Sequence, residues 1–371
     1  MKPAVPCRAR SPHVSASRPG RAGRSPSDPP ETITSNILES EPIMRASRVF
    51  ACLLVTILGS TRASADPLRL QLPLACEPGR TCFVQYYVDR DPGPAARDFT
   101  GGSQTYDRHD GTDFRLPSSV AAAGPLGAVR AAAAGTVLRI RNDAPDVSVR
   151  ETGMAKVAGV ECGNGLVIAH ADSYDTQYCH LAQGSVTVRP NEVVTAGQVI
   201  GHVGLSGATE FSHLHFTVRR AGRPVDPFAI EGSAQIGRDA SLWDESLGAS
   251  LRYRSGTVLN SGFSDGPVTM EAVEADAASP LGARGESLVA WVRAISLEVG
   301  DVQRLVVRAP DGQILAENRL SPLANPRAQS LVFTGKRRPA EGFRAGTYKA
   351  TYEVVRAGRV VIVHRFVATL P

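Results

Sequence analysis

The sequence lacks a hydrophobic run long enough to cross a membrane, and it has little excess charge of either sign. The apolar run at residues 49–59 has eleven residues, whereas a membrane-spanning helix needs about 20. The 41 Lys and Arg exceed the 36 Asp and Glu by five, but residues 1–65 hold nine of the basic and four of the acidic residues. The remaining 32 residues of each sign cancel. We therefore expect neither a membrane anchor nor a nucleic-acid partner.

The first 65 residues do not have the pattern of a folded domain. Residues 1–43 are rich in Pro, Ser and Arg without apolar periodicity, which indicates either a disordered leader or a start site assigned too far upstream. Residues 44–65 combine a basic region with Arg45 and Arg48, the apolar run and a small-residue site ending at Ala65, the pattern of a secretory signal peptide. We expect cleavage near Ala65 and a periplasmic or secreted mature protein.

Four cysteines follow the predicted leader, and in an oxidising compartment they would form disulfides. Four cysteines allow three pairings. The short segment CEPGRTC favours a local Cys76–Cys82 bridge, and Cys162 and Cys179 flank a predicted hairpin, which favours their pairing. The rival interpretation is a zinc site, but the sequence has no C-x2-C pairs of the kind found in zinc modules.

Two blocks of short strands follow each other along the chain. Between about residues 100 and 230, Gly and Asn-Gly turns interrupt runs of β-branched residues about every ten positions, which predicts an antiparallel all-β domain. Residues 141–161 lack periodicity and are predicted to be a long loop beside a binding cleft. After Pro227, about seven further strands predict a small β-sandwich.

Three residues of the second block can be interpreted from their positions. Tyr348 resembles the tyrosine corner of immunoglobulin-like domains. Trp291 and His364 lie within predicted strands and are interpreted as packed residues. The block has no aromatic cluster that would favour carbohydrate binding, so its role stays open.

The histidines indicate where the chemistry lies, because six of the eight fall between positions 109 and 215. In a strand, alternate side chains share one face. His213 and His215 therefore point the same way, while Leu214 and Phe216 face a core. Two adjacent imidazoles on one face form either a solvent-exposed ladder or a site.

An imidazole and a carboxylate four residues apart, His109 and Asp113, can converge on one point. A catalytic zinc typically keeps three protein ligands and an open fourth position. One carboxylate and two imidazoles meet this requirement, and His180 with one of the pair at 213 and 215 would remain to act on a bound water. The pattern predicts a metal-assisted hydrolase, although the common H-E-x-x-H motif is absent.

Three motifs in order closely resemble the lysostaphin/LytM-type zinc metallopeptidases that cut peptide cross-links of bacterial cell walls. They are H-x-G-x-D at 109–113, Y-x-H-L at 178–181 and H-L-H-F at 213–216, and the resemblance covers about residues 105–228. It implies an open antiparallel sheet of the duplicated hybrid motif type, one Zn2+ per chain and peptidoglycan stem peptides as substrate. It also implies the roles of five residues: zinc ligands His109, Asp113 and His215, and catalytic non-ligands His180 and His213.

The resulting domain prediction has three parts after the leader: an N-terminal segment with a local disulfide at 66–104, the zinc peptidase domain at 105–230 and the β-sandwich at 245–371. Two alternatives stay open. A non-catalytic zinc-binding relative could regulate another cell-wall hydrolase. A different cell-wall zinc peptidase or carboxypeptidase could also use H-x-H, although such enzymes place the first His and Asp seven apart.

Overall fold

The computed structural model describes residues 68–230, 241–282 and 284–371. The predicted leader at 1–43 and signal peptide at 44–65 lie outside the described residues. Within these ranges, no helix is long and apolar enough to cross a membrane.

Short strands dominate the first part of the described chain, as the frequent Gly turns predict. Two short helices interrupt them, α1 (Ser119–Ala123) and α2 (Val149–Thr152). The strands are β1 (Phe83–Tyr86), β2 (Thr112–Arg115), β3 (Ala128–Arg130), β4 (Gly135–Arg141), β5 (Asn164–Ala169), β6 (Tyr174–Leu181), β7 (Val193–Val194), β8 (Val199–His202), β9 (His213–Arg220) and β10 (Arg223–Val225).

Eight of these strands form one antiparallel sheet, which we call the main sheet. Its order is β1-β2-β9-β6-β5-β4-β7, with β10 also paired to β9, while β3 and β8 form a separate pair. Leu214 and Phe216 on β9 are fully buried in the core beneath the sheet. The alternation expected for H-L-H-F is therefore confirmed, and the two histidines lie on the opposite face.

The segment before the metal-site motif contributes more than a local disulfide. Its strand β1 is the edge strand that pairs with β2, and Leu70 and Leu74 are buried in the core of the main sheet. The predicted loop at 141–161 is partly helical. Ser148 caps α2 by accepting a hydrogen bond from the Arg150 backbone, and a 3-10 turn follows at Met154–Val157.

The second part of the chain is a β-sandwich, with the short helix α3 (Met270–Glu274) between its first two strands. Two sheets, β11-β12-β15 and β14-β13-β16-β17, pack around a shared apolar core. Their strands are β11 (Thr257–Ser264), β12 (Ser287–Leu297), β13 (Val302–Arg308), β14 (Ile314–Arg319), β15 (Arg327–Arg337), β16 (Gly346–Arg356) and β17 (Arg359–Leu370). The all-β prediction with an immunoglobulin-like second fold is confirmed.

The predicted packed residues of the sandwich lie as follows. The Tyr348 hydroxyl donates to the Arg344 carbonyl at 3.0 Å, the bond that defines a tyrosine corner. Trp291 is buried against Val268 and Val273. His364 is half-buried, with Nε2 2.9 Å from the Ser261 hydroxyl.

Both predicted disulfides are present. Cys76 bonds to Cys82, and Cys162 bonds to Cys179. The second bridge ties the chain before β5 to β6, next to His180. It therefore fixes one border of the histidine cluster described below.

Candidate metal centre

Three side chains from two adjacent strands and the preceding loop converge on one point. His109 Nε2 lies 3.2 Å from Asp113 Oδ1 and 3.2 Å from His215 Nδ1, and the last two atoms are 2.9 Å apart. Asp113 on β2 is directly opposite His215 on β9. The antiparallel register therefore brings together residues that are 102 positions apart.

Gly111 allows this close approach. A Cβ atom at this position would lie 2.6 Å from His215 Nε2 and 2.9 Å from the Phe216 carbonyl oxygen. Any side chain would therefore displace the ring or the strand. This explains why the turn between His109 and Asp113 carries glycine.

Hydrogen bonds on the far side of each ring determine which nitrogen faces the convergence point. His109 Nδ1 lies 2.6 Å from the Tyr87 carbonyl oxygen, so Nδ1 carries the proton and Nε2 keeps its lone pair. His215 Nε2 lies 3.1 Å from Asp110 Oδ1 and 3.0 Å from the Thr217 hydroxyl. Its Nδ1 is then the nitrogen with the free lone pair.

This donor set fits a metal ion. Two imidazole lone pairs and a carboxylate oxygen face one another, and the three groups are at least four-fifths buried. Electron-rich atoms at this separation repel unless a cation lies between them. Ligands of a tetrahedral zinc at about 2.0–2.1 Å lie roughly 3.3 Å from each other, close to the distances seen. Among the described residues, the group of side chains that could hold a metal ion consists of His109, Asp113 and His215.

The electrostatics of the site agree with this arrangement. Burial alone would raise the pKa of Asp113, but His109 and His213 outweigh it and hold the pKa well below its usual range. Burial likewise opposes protonation of His215, yet the hydrogen bonds to Asp110 and Asp113 raise its pKa to about 10. Without a metal ion, His215 therefore carries a second proton on Nδ1, directed at Asp113, and a bound cation would displace this proton.

His180 borders the centre from β6. Its Nδ1 lies 2.9 Å from the Ser206 carbonyl oxygen, which leaves Nε2 on the opposite edge of the ring. Its ring centroid is 4.8 Å from that of His213 and 6.0 Å from that of His215. Burial, with smaller contributions from His213 and His215, lowers the pKa of His180 well below its usual value, so the ring is neutral.

The backbone of His180 is unusual, because its φ of 63° lies in the left-handed region. The pairing of β5 with β6 shifts register at this point, which is the signature of a β-bulge. The His180 amide donates to the Cys162 carbonyl at 2.9 Å. The bulge turns this imidazole towards His213 and His215.

His213 is held in a similar way. Its Nδ1 lies 3.0 Å from the Phe211 carbonyl oxygen and 3.1 Å from the Thr209 hydroxyl. Its Nε2 is 3.6 Å from Asp113 Oδ1. All five residues singled out by the motifs are thus brought together in one cluster.

Two other histidines of the same region lie elsewhere. His170 bridges the Ala134 carbonyl and the Thr176 hydroxyl, both at 2.8 Å, at the far end of the β5–β6 hairpin. His202 ends β8. Sequence reasoning missed Asp110, whose contact with His215 Nε2 depends on the tertiary fold. A cavity of about 310 Å³ adjoins His109 and Asp110.

Residues 107–227 match the sequence model described as peptidase family M23. Among similar curated proteins, peptidoglycan DD-endopeptidase ShyB of Vibrio cholerae is 37% identical over 97 residues, 25% of this chain and 22% of that protein. Peptidoglycan DD-endopeptidase ShyA of the same organism is 31% identical over 118 residues, covering 32% and 22%. The DD-carboxypeptidase/endopeptidase Mpg of Neisseria meningitidis is 38% identical over 68 residues, covering 18% and 15%. The chain thus spans only about a fifth of these relatives' length.

Solved structures of similar proteins include a zinc containing peptidase from Vibrio cholerae, with 29% identity, 39% of each chain covered and a TM-score of 0.25. The catalytic domain of lysostaphin from Staphylococcus simulans has 21% identity, 38% and 85% coverage and a TM-score of 0.24. With TM-scores this low, the structural similarities carry no argument, and the similarity to peptidase family M23 is one of sequence, over residues 107–227.

Proposed function

From the peptidase family M23 domain at residues 107–227, we propose that this protein is an exported zinc-dependent endopeptidase that hydrolyses peptide cross-links of bacterial peptidoglycan. The observation that carries the proposal is the convergence of His109 Nε2, Asp113 Oδ1 and His215 Nδ1 within 3.2 Å of one another. Two further imidazoles border this centre. Five ionisable groups clustered in this way, with perturbed pKa values among them, are typical of a functional site.

The ring contacts support the roles that we propose for the five residues. His109, Asp113 and His215 are the zinc ligands, and His180 and His213 are the catalytic pair. A bound zinc ion would polarise a peptide carbonyl and lower the pKa of water. Each catalytic imidazole has Nδ1 anchored on a backbone carbonyl. Its Nε2 can therefore accept a proton from the attacking water and, once protonated, donate a hydrogen bond to the developing oxyanion.

The substrate class and the compartment rest on separate support. Two of the relatives above are named peptidoglycan DD-endopeptidases, which supports peptide bonds of the cell wall as the substrate. Both disulfides support export, because such bridges persist in oxidising compartments. The protein would then act in the periplasm or after secretion.

The test is incubation of the purified chain, without its leader, on isolated peptidoglycan with and without a chelator, followed by identification of the released muropeptides. We expect zinc-dependent release that His180→Asn reduces by about 100-fold or more. Asparagine tolerates the left-handed backbone at this position, so the variant removes the imidazole with little strain. His202→Asn is the matched control and should retain activity.

A second outcome would favour the regulatory alternative. If the protein binds one zinc per chain yet releases nothing, and His180→Asn behaves like the unaltered protein, the enzyme proposal fails. A chain that binds no metal would contradict both interpretations.

A further inference from the structure

A buried ion cluster joins the β-sandwich to the main sheet beside the metal centre. Arg115 on β2 and Arg293 on β12 are both 0% exposed. Glu274, the last residue of α3, accepts from Arg115 Nη2 at 2.7 Å with its Oε2 atom, and the same oxygen accepts from Arg293 Nη1. One carboxylate of the sandwich thus neutralises a cation of the peptidase domain.

The cluster depends on this single carboxylate. Two fully buried guanidinium groups repel each other, and a buried charge that loses its partner is strongly unfavourable. Glu274 is the counter-ion that Arg115 and Arg293 share.

The other side of Arg115 reaches the segment that leads into His213. Arg115 Nη1 donates to the Ser212 carbonyl at 2.7 Å, and the guanidinium carbon lies 4.1 Å from the centroid of the Phe211 ring. In the β2–β9 ladder, Arg115 is directly opposite His213. The Phe211 carbonyl in turn accepts the hydrogen bond from His213 Nδ1.

We infer that Arg115 and Glu274 are positioning residues for His213, and that the β-sandwich thereby completes the catalytic centre of the peptidase domain. The inference rests on the proposed function for the role of His213. The Arg115 guanidinium fixes the two residues before His213: it binds the Ser212 carbonyl and packs on the Phe211 ring. Glu274 in turn fixes the guanidinium. Neither Arg115 nor Glu274 touches the donor atoms of the metal ligands.

A neighbouring contact of the same interface provides a matched control. The Ser118 hydroxyl donates to Asp276 Oδ2 at 2.7 Å, so Asp276 also links the sandwich to the segment after β2. It makes no contact with Arg115, Phe211 or Ser212. Asp276→Asn and Glu274→Gln each neutralise one interface carboxylate, and only Glu274→Gln acts on the His213 segment.

Arg115→Met is the central variant, because it is expected to fold. It removes one guanidinium and leaves Glu274 paired one-to-one with Arg293. We expect zinc content to stay at the unaltered level and KM to stay within about twofold. We expect kcat to fall by about 10- to 100-fold, the cost of a misplaced catalytic group. Glu274→Gln should lower kcat in the same direction, and Asp276→Asn should not change it.

A readout independent of turnover separates this inference from the proposed function. In ¹⁵N-edited spectra of the zinc-loaded protein, the ring nitrogens of His213 should shift in Arg115→Met and Glu274→Gln but not in Asp276→Asn. If the unaltered protein hydrolyses nothing, the proposed function fails while the spectra still decide the positioning role. Unchanged His213 signals in Arg115→Met would overturn the inference. So would loss of zinc in that variant, or an equal fall of kcat in Asp276→Asn.

Discussion

Asp113 and His215 lie directly opposite each other in the β2–β9 ladder, with Asp113 Oδ1 2.9 Å from His215 Nδ1. Two backbones held in register by the sheet therefore fix two of the three proposed metal ligands. The third, His109, is fixed by its hydrogen bond to the Tyr87 carbonyl. A site built on rigid strands needs little rearrangement to receive a metal ion.

Removing a ligand should remove the metal, whereas removing a catalytic imidazole should not. We expect His215→Ala to lose most of its bound zinc, because only two protein ligands remain. His180→Asn should keep one zinc per chain. Elemental analysis after dialysis measures both, with His202→Asn as the control. Retention of zinc by His215→Ala would show that His215 is not a ligand.

Asp110 should strengthen metal binding without being a ligand. Its Oδ1 is 3.1 Å from His215 Nε2, so Asp110 orients the His215 ring and makes Nδ1 a stronger metal ligand. We expect Asp110→Asn to weaken zinc affinity by about 10- to 100-fold, measured by competition with a chromogenic chelator. Asp107→Asn, which alters a carboxylate paired with Arg108, should leave the affinity unchanged.

The sequence predicted those features that depend on spacing along one strand or one turn. The period-two alternation placed His213 and His215 on one face and Leu214 and Phe216 in the core. The short segment CEPGRTC predicted the Cys76–Cys82 bridge, and the hairpin between Cys162 and Cys179 predicted the other. Such features need only local geometry.

The features that the sequence did not reveal arise from contacts between distant segments. Strand β1 reads FVQY, and four residues are too few to be recognised from the sequence as the edge of the main sheet. The environment of Arg115 depends on Glu274, 159 residues later. The left-handed backbone of His180 is set by a bulge that only strand pairing creates. All three features are determined by contacts with segments that are distant in the sequence.

The Cys162–Cys179 bridge should matter for both stability and activity. It closes a separation of 17 residues, so replacing both cysteines with serine should lower the free energy of unfolding by about 3 kcal/mol. It also holds the Cys162 carbonyl that accepts from the His180 amide, so peptidoglycan hydrolysis should fall. Urea unfolding and muropeptide release measure the two effects.

The matched control is the other bridge. Replacing Cys76 and Cys82 with serine removes a bridge that closes a separation of only six residues. This bridge is remote from His180. This variant should lose less stability and keep its activity. Equal losses of activity in both variants would contradict a specific role for Cys162–Cys179.

Asp226 should make the protein less stable as pH rises through the acidic range. It is 5% exposed, and Oδ2 has no hydrogen bond to any described residue. Burial raises its pKa to about 7, although the Phe228 amide and Arg90 oppose the shift. In the unfolded chain an aspartate ionises near pH 4. Between pH 4 and 7 the unfolded state therefore releases a proton that the folded state retains.

The contribution of Asp226 to the free energy of unfolding should consequently fall by about 4 kcal/mol across this window and level off above pH 7. Asp226→Asn cannot ionise, so its stability relative to the unaltered protein should rise with pH from 4 to 7 and stay higher above that. Urea unfolding of both proteins at several pH values gives the difference, in which other titrating groups largely cancel. Parallel curves would mean that Asp226 ionises alike in the folded and unfolded states.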